Sequence, residues 1–212
     1  MTSRRRPVRH AGVVIERYPR TVPYRLSRRG SGAGPGLAAA VWGAVFAVPS
    51  FVWATGRTFG ARTTVSPSLV ELARDRVTWF VAVLWVTGFL KLLGALLGIG
   101  LTRRRGPGLS RLMVFCGGGA AVLLVWHGGL FVLDGVLVET GALSAAPEIV
   151  DLTLWYLCLW GPWFIAGGLA FGAATARYAR HRDTPREVRR LGAAGALGAL
   201  LLSLASAVTG IG

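Results

Sequence analysis

The chain is short of the residues from which catalytic and metal sites are usually built. Of its 212 residues two are cysteine, three histidine, nine Asp or Glu, and a single lysine, Lys91, stands among 24 basic residues. No CxxC pair occurs, which argues against a thiol oxidoreductase, and no His, Cys and carboxylate grouping has metal-ligand spacing. Phosphate loops, dinucleotide fingerprints and nucleophile elbows are missing too. No catalytic residue, cofactor or metal is therefore expected.

What the chain has in quantity is long apolar runs. A bilayer core about 30 Å thick is crossed by roughly 20 mostly apolar helical residues. Five stretches meet that length: residues 36–55, 77–101, 112–133, 152–176 and 191–211. The fifth is rich in Gly and Ala, so it either spans, lies at the interface or re-enters from one side. The expected fold class is an all-α integral membrane bundle of four to five transmembrane helices, in one domain over residues 36–212.

The arginines sort by loop. Nine precede the first run, four (Arg103, Arg104, Arg105 and Arg111) separate the second from the third, and six from Arg177 to Arg190 separate the fourth from the fifth. Only Arg57, Arg62, Arg74 and Arg76 fall on the other side. By the positive-inside rule the rich side is cytoplasmic, with the amino terminus inside and, given five spans, the carboxyl terminus outside. This distribution accounts for most of the formal charge of +15, which in a soluble chain would suggest nucleic-acid binding; no nucleic acid is expected here. That 23 of the 24 basic residues are arginine is the bias of a GC-rich bacterial genome, so a bacterial plasma membrane is the expected location.

Residues 1–35 carry nine arginines with Pro7, Pro19 and Pro23 and no sustained apolar period, which predicts a disordered cytoplasmic tail. Its expected partner, beyond the lipid bilayer itself, is the anionic headgroup layer, worth about 1 kcal/mol per basic residue near the surface. The polar leader is too long for a signal peptide, and uncleaved insertion is expected.

Lys91 lies inside the second run. Ten residues from Leu101 at about 1.5 Å each put it about 15 Å deep, near the midplane, where a charge costs at least about 2.5 to 3.5 kcal/mol. It either satisfies a neighbouring helix or marks a ligand or proton site. His127 and Asp134, seven residues apart in the third run, share nearly one helical face and complete a candidate intramembrane polar site. Counting places His127 about 7 Å from the level of Lys91, within reach of a bridging water, and Asp134 at the outer interface.

Eight tryptophans divide by depth. Trp53, Trp79, Trp126 and Trp155 suit an interfacial belt. Trp42, Trp85, Trp160 and Trp163 are deeper, and they either face lipid or wall an aromatic pocket for a lipid, isoprenoid or cation. Gly94 with Gly98, Gly168 with Gly172, and Gly117 to Gly119 predict close helix approach, which leaves a membrane-protein partner or homo-oligomer open. Pro49 and Pro162 should kink the first and fourth runs. Cys116 and Cys158 enter from opposite sides, about 20 Å apart along the normal, too far for a disulfide.

Three segments carry a family resemblance: VWGAVFAVPSFVWATGRTFG from Val41 to Gly60, WVTGFLKLLGALLG around Lys91, and GPWFIAGGLAFG from Gly161 to Gly172. Together they resemble the small actinobacterial membrane proteins of domain of unknown function 3995, over roughly Leu37 to Tyr178. The pattern consists of Trp42, Phe46, Ser50 and Trp53 in the first span, a lysine in the second, and Pro162, Trp163, Gly167 and Gly168 in the fourth. The resemblance implies four spans with both termini inside, so the fifth run here is an addition or a different use of the tail, and it implies no particular activity. Three functional readings follow: a non-enzymatic membrane component or accessory subunit; a small transporter or proton-linked permeation unit around Lys91 and His127; and a membrane-embedded enzyme acting on a lipid or isoprenoid.

Overall fold

A computed structural model describes residues 33–103, 105–144, 147–180 and 185–209. Residues 1–32 of the expected tail, and the last three residues of the chain, lie outside the described residues. The described residues form an all-α bundle without strands: α1 (Gly34–Ala54), a 3-10 turn (Ala61–Thr63), α2 (Pro67–Arg74), α3 (Thr78–Gly100), α4 (Pro107–Glu139), α5 (Pro147–Trp155), a π-helical segment (Tyr156–Trp160), α6 (Gly161–Ala179) and α7 (Pro185–Thr209). Four helices among the described residues are long and apolar enough to cross a membrane: Gly34–Ala54, Thr78–Gly100, Pro107–Glu139 and Val150–Ala179. Helix is the form such runs must take, because hydrocarbon offers backbone amides no partner. Prolines in the first turns of α1, α2 and α4 sit where their missing N–H is not needed. Gly56, at φ 86°, turns the chain out of α1 in a left-handed conformation.

Close approach organises the bundle. α1 and α3 run antiparallel, with Gly36 against Gly98 and Thr102, and Gly43 against Ala95. A Cβ at Gly98 would stand 2.6 Å from the Ala40 nitrogen. α4 and α6 also run antiparallel, from the Ser110–Tyr178 hydrogen bond (2.5 Å) at one end to Gly128 beside Gly161 at the other. A Cβ at Gly128 would stand 2.6 Å from the Gly161 carbonyl oxygen. α1 joins the two pairs by packing on α6. The fifth run is helical and lies along α4 in the same direction: Gly118 meets Gly192, Gly119 meets Gly195, and Arg111 pairs with Glu187 at 2.6 Å. These contacts put residues 105–111, 177–180 and 185–190 at one end of the bundle. The four arginines of residues 57–76 occupy the opposite end.

The outward side of α3 leaves Val86, Phe89, Leu90, Leu93 and Leu96 exposed, a strip that suits hydrocarbon and not water. At the arginine-poor end a separate core forms, in which Val70 and Ala73 of α2 pack on Trp53, Ala54, Phe80 and Leu84. At Pro162 the expected kink takes the form of the π segment. The Gly161 N–H bonds back to the Tyr156 carbonyl, a wide turn that accommodates a proline whose ring would otherwise meet the Cys158 carbonyl.

Candidate functional site

α3 faces α1 with a stripe of Leu84, Gly88, Ala95 and Gly98, all buried, and Lys91 falls on this stripe. The matching stripe of α1 is Gly43, Ala47 and Ser50. Antiparallel packing brings the two polar residues together: Lys91 Nζ donates to Ser50 Oγ at 2.9 Å, and Ser50 is buried. The same ammonium sits 3.8 Å from the centroid of the Phe46 ring, one turn before Ser50. A hydrogen bond to a charged group contributes about 1.5–3 kcal/mol, and a desolvated cation–π contact about 2. Together they offset the insertion penalty of about 2.5–3.5 kcal/mol for a lysine at mid-helix. Among the described residues Lys91 has no carboxylate partner.

His127 lies between α4 and α6. Its ring packs on Phe131 (4.4 Å between centroids) and edge-on to Phe164 (4.8 Å), with no hydrogen bond among the described residues. Phe164 in turn meets Phe46 edge-on at 5.1 Å, so Lys91 and His127 are joined through two phenyl rings, not by a polar path. Asp134 is exposed on α4 and takes no part in this contact chain.

Three of the four deep tryptophans converge. Trp42 stacks on Trp163 at 5.8 Å and donates its indole N–H to the Trp163 carbonyl at 2.9 Å. Gly167 makes this possible, because a Cβ there would enter the Trp42 ring. Trp160 lies 6.2 Å from Phe46 and donates to the Thr63 carbonyl at 2.6 Å. Tyr156, stacked on Phe131 at 4.4 Å, donates to the next carbonyl, that of Thr64, at 3.0 Å. Trp85 stands apart, against Phe51 and Phe89 on the other side of α3. The rings fill the α1–α6 seam with one another. An open apolar groove of about 800 Å³ does exist, but between α4, α6 and α7, with Trp126 and Leu169 in its walls and neither Lys91 nor His127 among its lining.

Lys91's partners were the part that reading the sequence for polar residues missed. Trp42, Phe46 and Ser50 recur every four residues and so share one face of α1, a spacing that carries the signal. No group of three His, Cys, Asp or Glu side chains gathers among the described residues, and Cys116 and Cys158 are both free thiols.

Residues 43–171 match the family described as "Protein of unknown function (DUF3995)", and the chain belongs to that family. The matched region runs from Gly43 in α1 to Phe171 in α6, so it contains Lys91, Ser50, Phe46, His127 and the π segment and ends before α7. No curated protein and no solved structure matches the chain.

Proposed function

We propose that this DUF3995 protein is a non-enzymatic component of the bacterial plasma membrane, an accessory subunit that works through its helical surfaces. The observation that carries the reading is the condition of Lys91. Its ammonium is engaged by Ser50 and Phe46, so the chain's single lysine serves the α1–α3 contact. A permeation site needs a cation free to exchange partners along a polar path, and the contacts between Lys91 and His127 are phenyl rings. An enzyme pocket walled by deep tryptophans needs space that those rings themselves occupy.

In this reading the arginine-rich end faces the cytoplasm by the positive-inside rule. α7, parallel to α4, crosses in the same sense and leaves the carboxyl terminus outside. The anionic leaflet and another membrane protein are the partners. Purified protein in liposomes loaded with a pH-sensitive dye tests the proposal: proton leak should equal that of protein-free vesicles, for the wild type and Lys91→Met alike. Flux that the wild type supports and Lys91→Met abolishes would overturn it in favour of a permeation unit.

A further inference from the structure

At the arginine-poor end a second site takes shape, far from Lys91. A cleft of about 350 Å³ opens between the 3-10 turn, α2 and α5. Its floor is apolar, with Val70 and Leu152 both buried, and its rim carries Arg62, Arg74, Glu71 and Asp151. The four rim side chains are exposed, and among the described residues none is in an ion pair within 4 Å. Two guanidinium groups and two carboxylates thus line one cleft, with no ion pair or hydrogen bond of their side chains among the described residues.

This rim is also held in place. Trp160 and Tyr156, displayed by the π segment, hydrogen-bond the carbonyls of Thr63 and Thr64, the two residues after Arg62. π-turns occur often at functional sites, and here the turn anchors the backbone that presents one arginine of the cleft. Glu71 and Arg74 lie three residues apart on α2, whose other face is fixed by the Trp53–Phe80 core. The arginine count sharpens the point. Among the described residues four arginines fall at this end, and two of them line the cleft.

The geometry points to a binding site for the headgroup of a phosphoethanolamine lipid in the leaflet at this end. Arginine forks suit a phosphate bidentately. Carboxylates beside them suit a primary ammonium, with its three N–H donors. The lining is neutral overall, which favours a zwitterion over a simple anion, and the cleft floor of Val70 and Leu152 is apolar, next to the core that Val70 forms with the ends of α1 and α3. A choline headgroup lacks N–H donors, and a glycerol headgroup lacks the cation. The inference rests on the membrane placement of the helices and not on the accessory role.

The test uses the full chain purified in mild detergent and titrated with dioleoyl phosphatidylethanolamine, phosphatidylcholine or phosphatidylglycerol, with retained lipid read by native mass spectrometry. The ethanolamine lipid should be retained about tenfold over the other two, the order of discrimination that charge-assisted hydrogen bonds provide. Arg62→Gln/Arg74→Gln should lose that retention. Glu71→Gln/Asp151→Asn should still hold phosphate but bind the ethanolamine and choline lipids equally. Helical circular dichroism and a single elution peak check that the variants fold, and Arg74→Gln alone should give an intermediate loss if the double variant does not. Equal retention of the three lipids by the wild type, or an ethanolamine preference unchanged in Arg74→Gln, overturns the site. Displacement of the lipid by an equal concentration of soluble phosphoethanolamine overturns its membrane source.

Discussion

In the α1–α3 pair, Gly98 meets the backbone of Ala40, and the half-buried Lys91 in the seam has a hydroxyl and an aromatic face arranged around it. In the α4–α6 pair, Gly128 meets Gly161 just as closely, yet His127 packs on the rings of Phe131 and Phe164 with no hydrogen bond among the described residues. The two pairs share their means of approach and differ in what they do with polarity. A histidine can be accommodated neutral among aromatics. A lysine at mid-membrane cannot be left so, and its partners come from the facing helix. The difference implies that removing a partner of Lys91 will be felt, whereas changing His127 will not.

The glycine contacts give the largest expected effect. Gly98→Leu should disrupt the α1–α3 pair by about 3 kcal/mol or more, since a Cβ there already meets backbone. Gly94→Leu, one turn away, should change little, because its Cβ would find only the tip of Phe171 at 3.9 Å. Unfolding of the two variants in mixed micelles separates them; equal losses would mean that packing along α3 is not focused on one stripe. Smaller in effect, Trp42→Phe removes the hydrogen bond to the Trp163 carbonyl between the two pairs. It should lower stability by about 1 kcal/mol, measured in the same assay. Trp160→Phe releases the Thr63 carbonyl and should act locally, raising amide exchange in residues 61–65 while the unfolding midpoint moves by about 1 kcal/mol or less. Smallest of all, His127→Phe should stay within about 0.5 kcal/mol of wild type, because its neighbours are already aromatic.

Much of the architecture is legible in the apolar runs, because a bilayer imposes a length and a polarity that composition records directly. The first four runs coincide with the four helices that, among the described residues, are long and apolar enough to cross a membrane, and α4 extends beyond its run at both ends, from Pro107 to Glu139. α2 was hidden, since eight residues with two buried apolar side chains leave a faint pattern in a loop read mainly for its arginines. Pro162 announces an irregular turn, but the choice of a π-turn over a kink depends on how Tyr156 and Trp160 reach the outer carbonyls. Lys91 stands out as the lone lysine. Its engagement by Ser50 is a tertiary fact, since 41 residues separate them and helix register decides whether they meet. For the same reason depth alone suggested a bridge from Lys91 to His127, while the register of α1 and α6 inserts Phe46 and Phe164 between them.

The most direct test of Lys91 as a fixed part of the helix contact is the unfolding free energy of Ser50→Ala, Lys91→Met and the double variant in mixed micelles. Ser50→Ala removes the hydrogen bond of a half-buried charge and should lose about 1.5–3 kcal/mol, whereas adding Lys91→Met should restore most of that loss, because removing both partners leaves no unpaired charge. A neutral Ser50→Ala, or losses that simply add in the double variant, would contradict it.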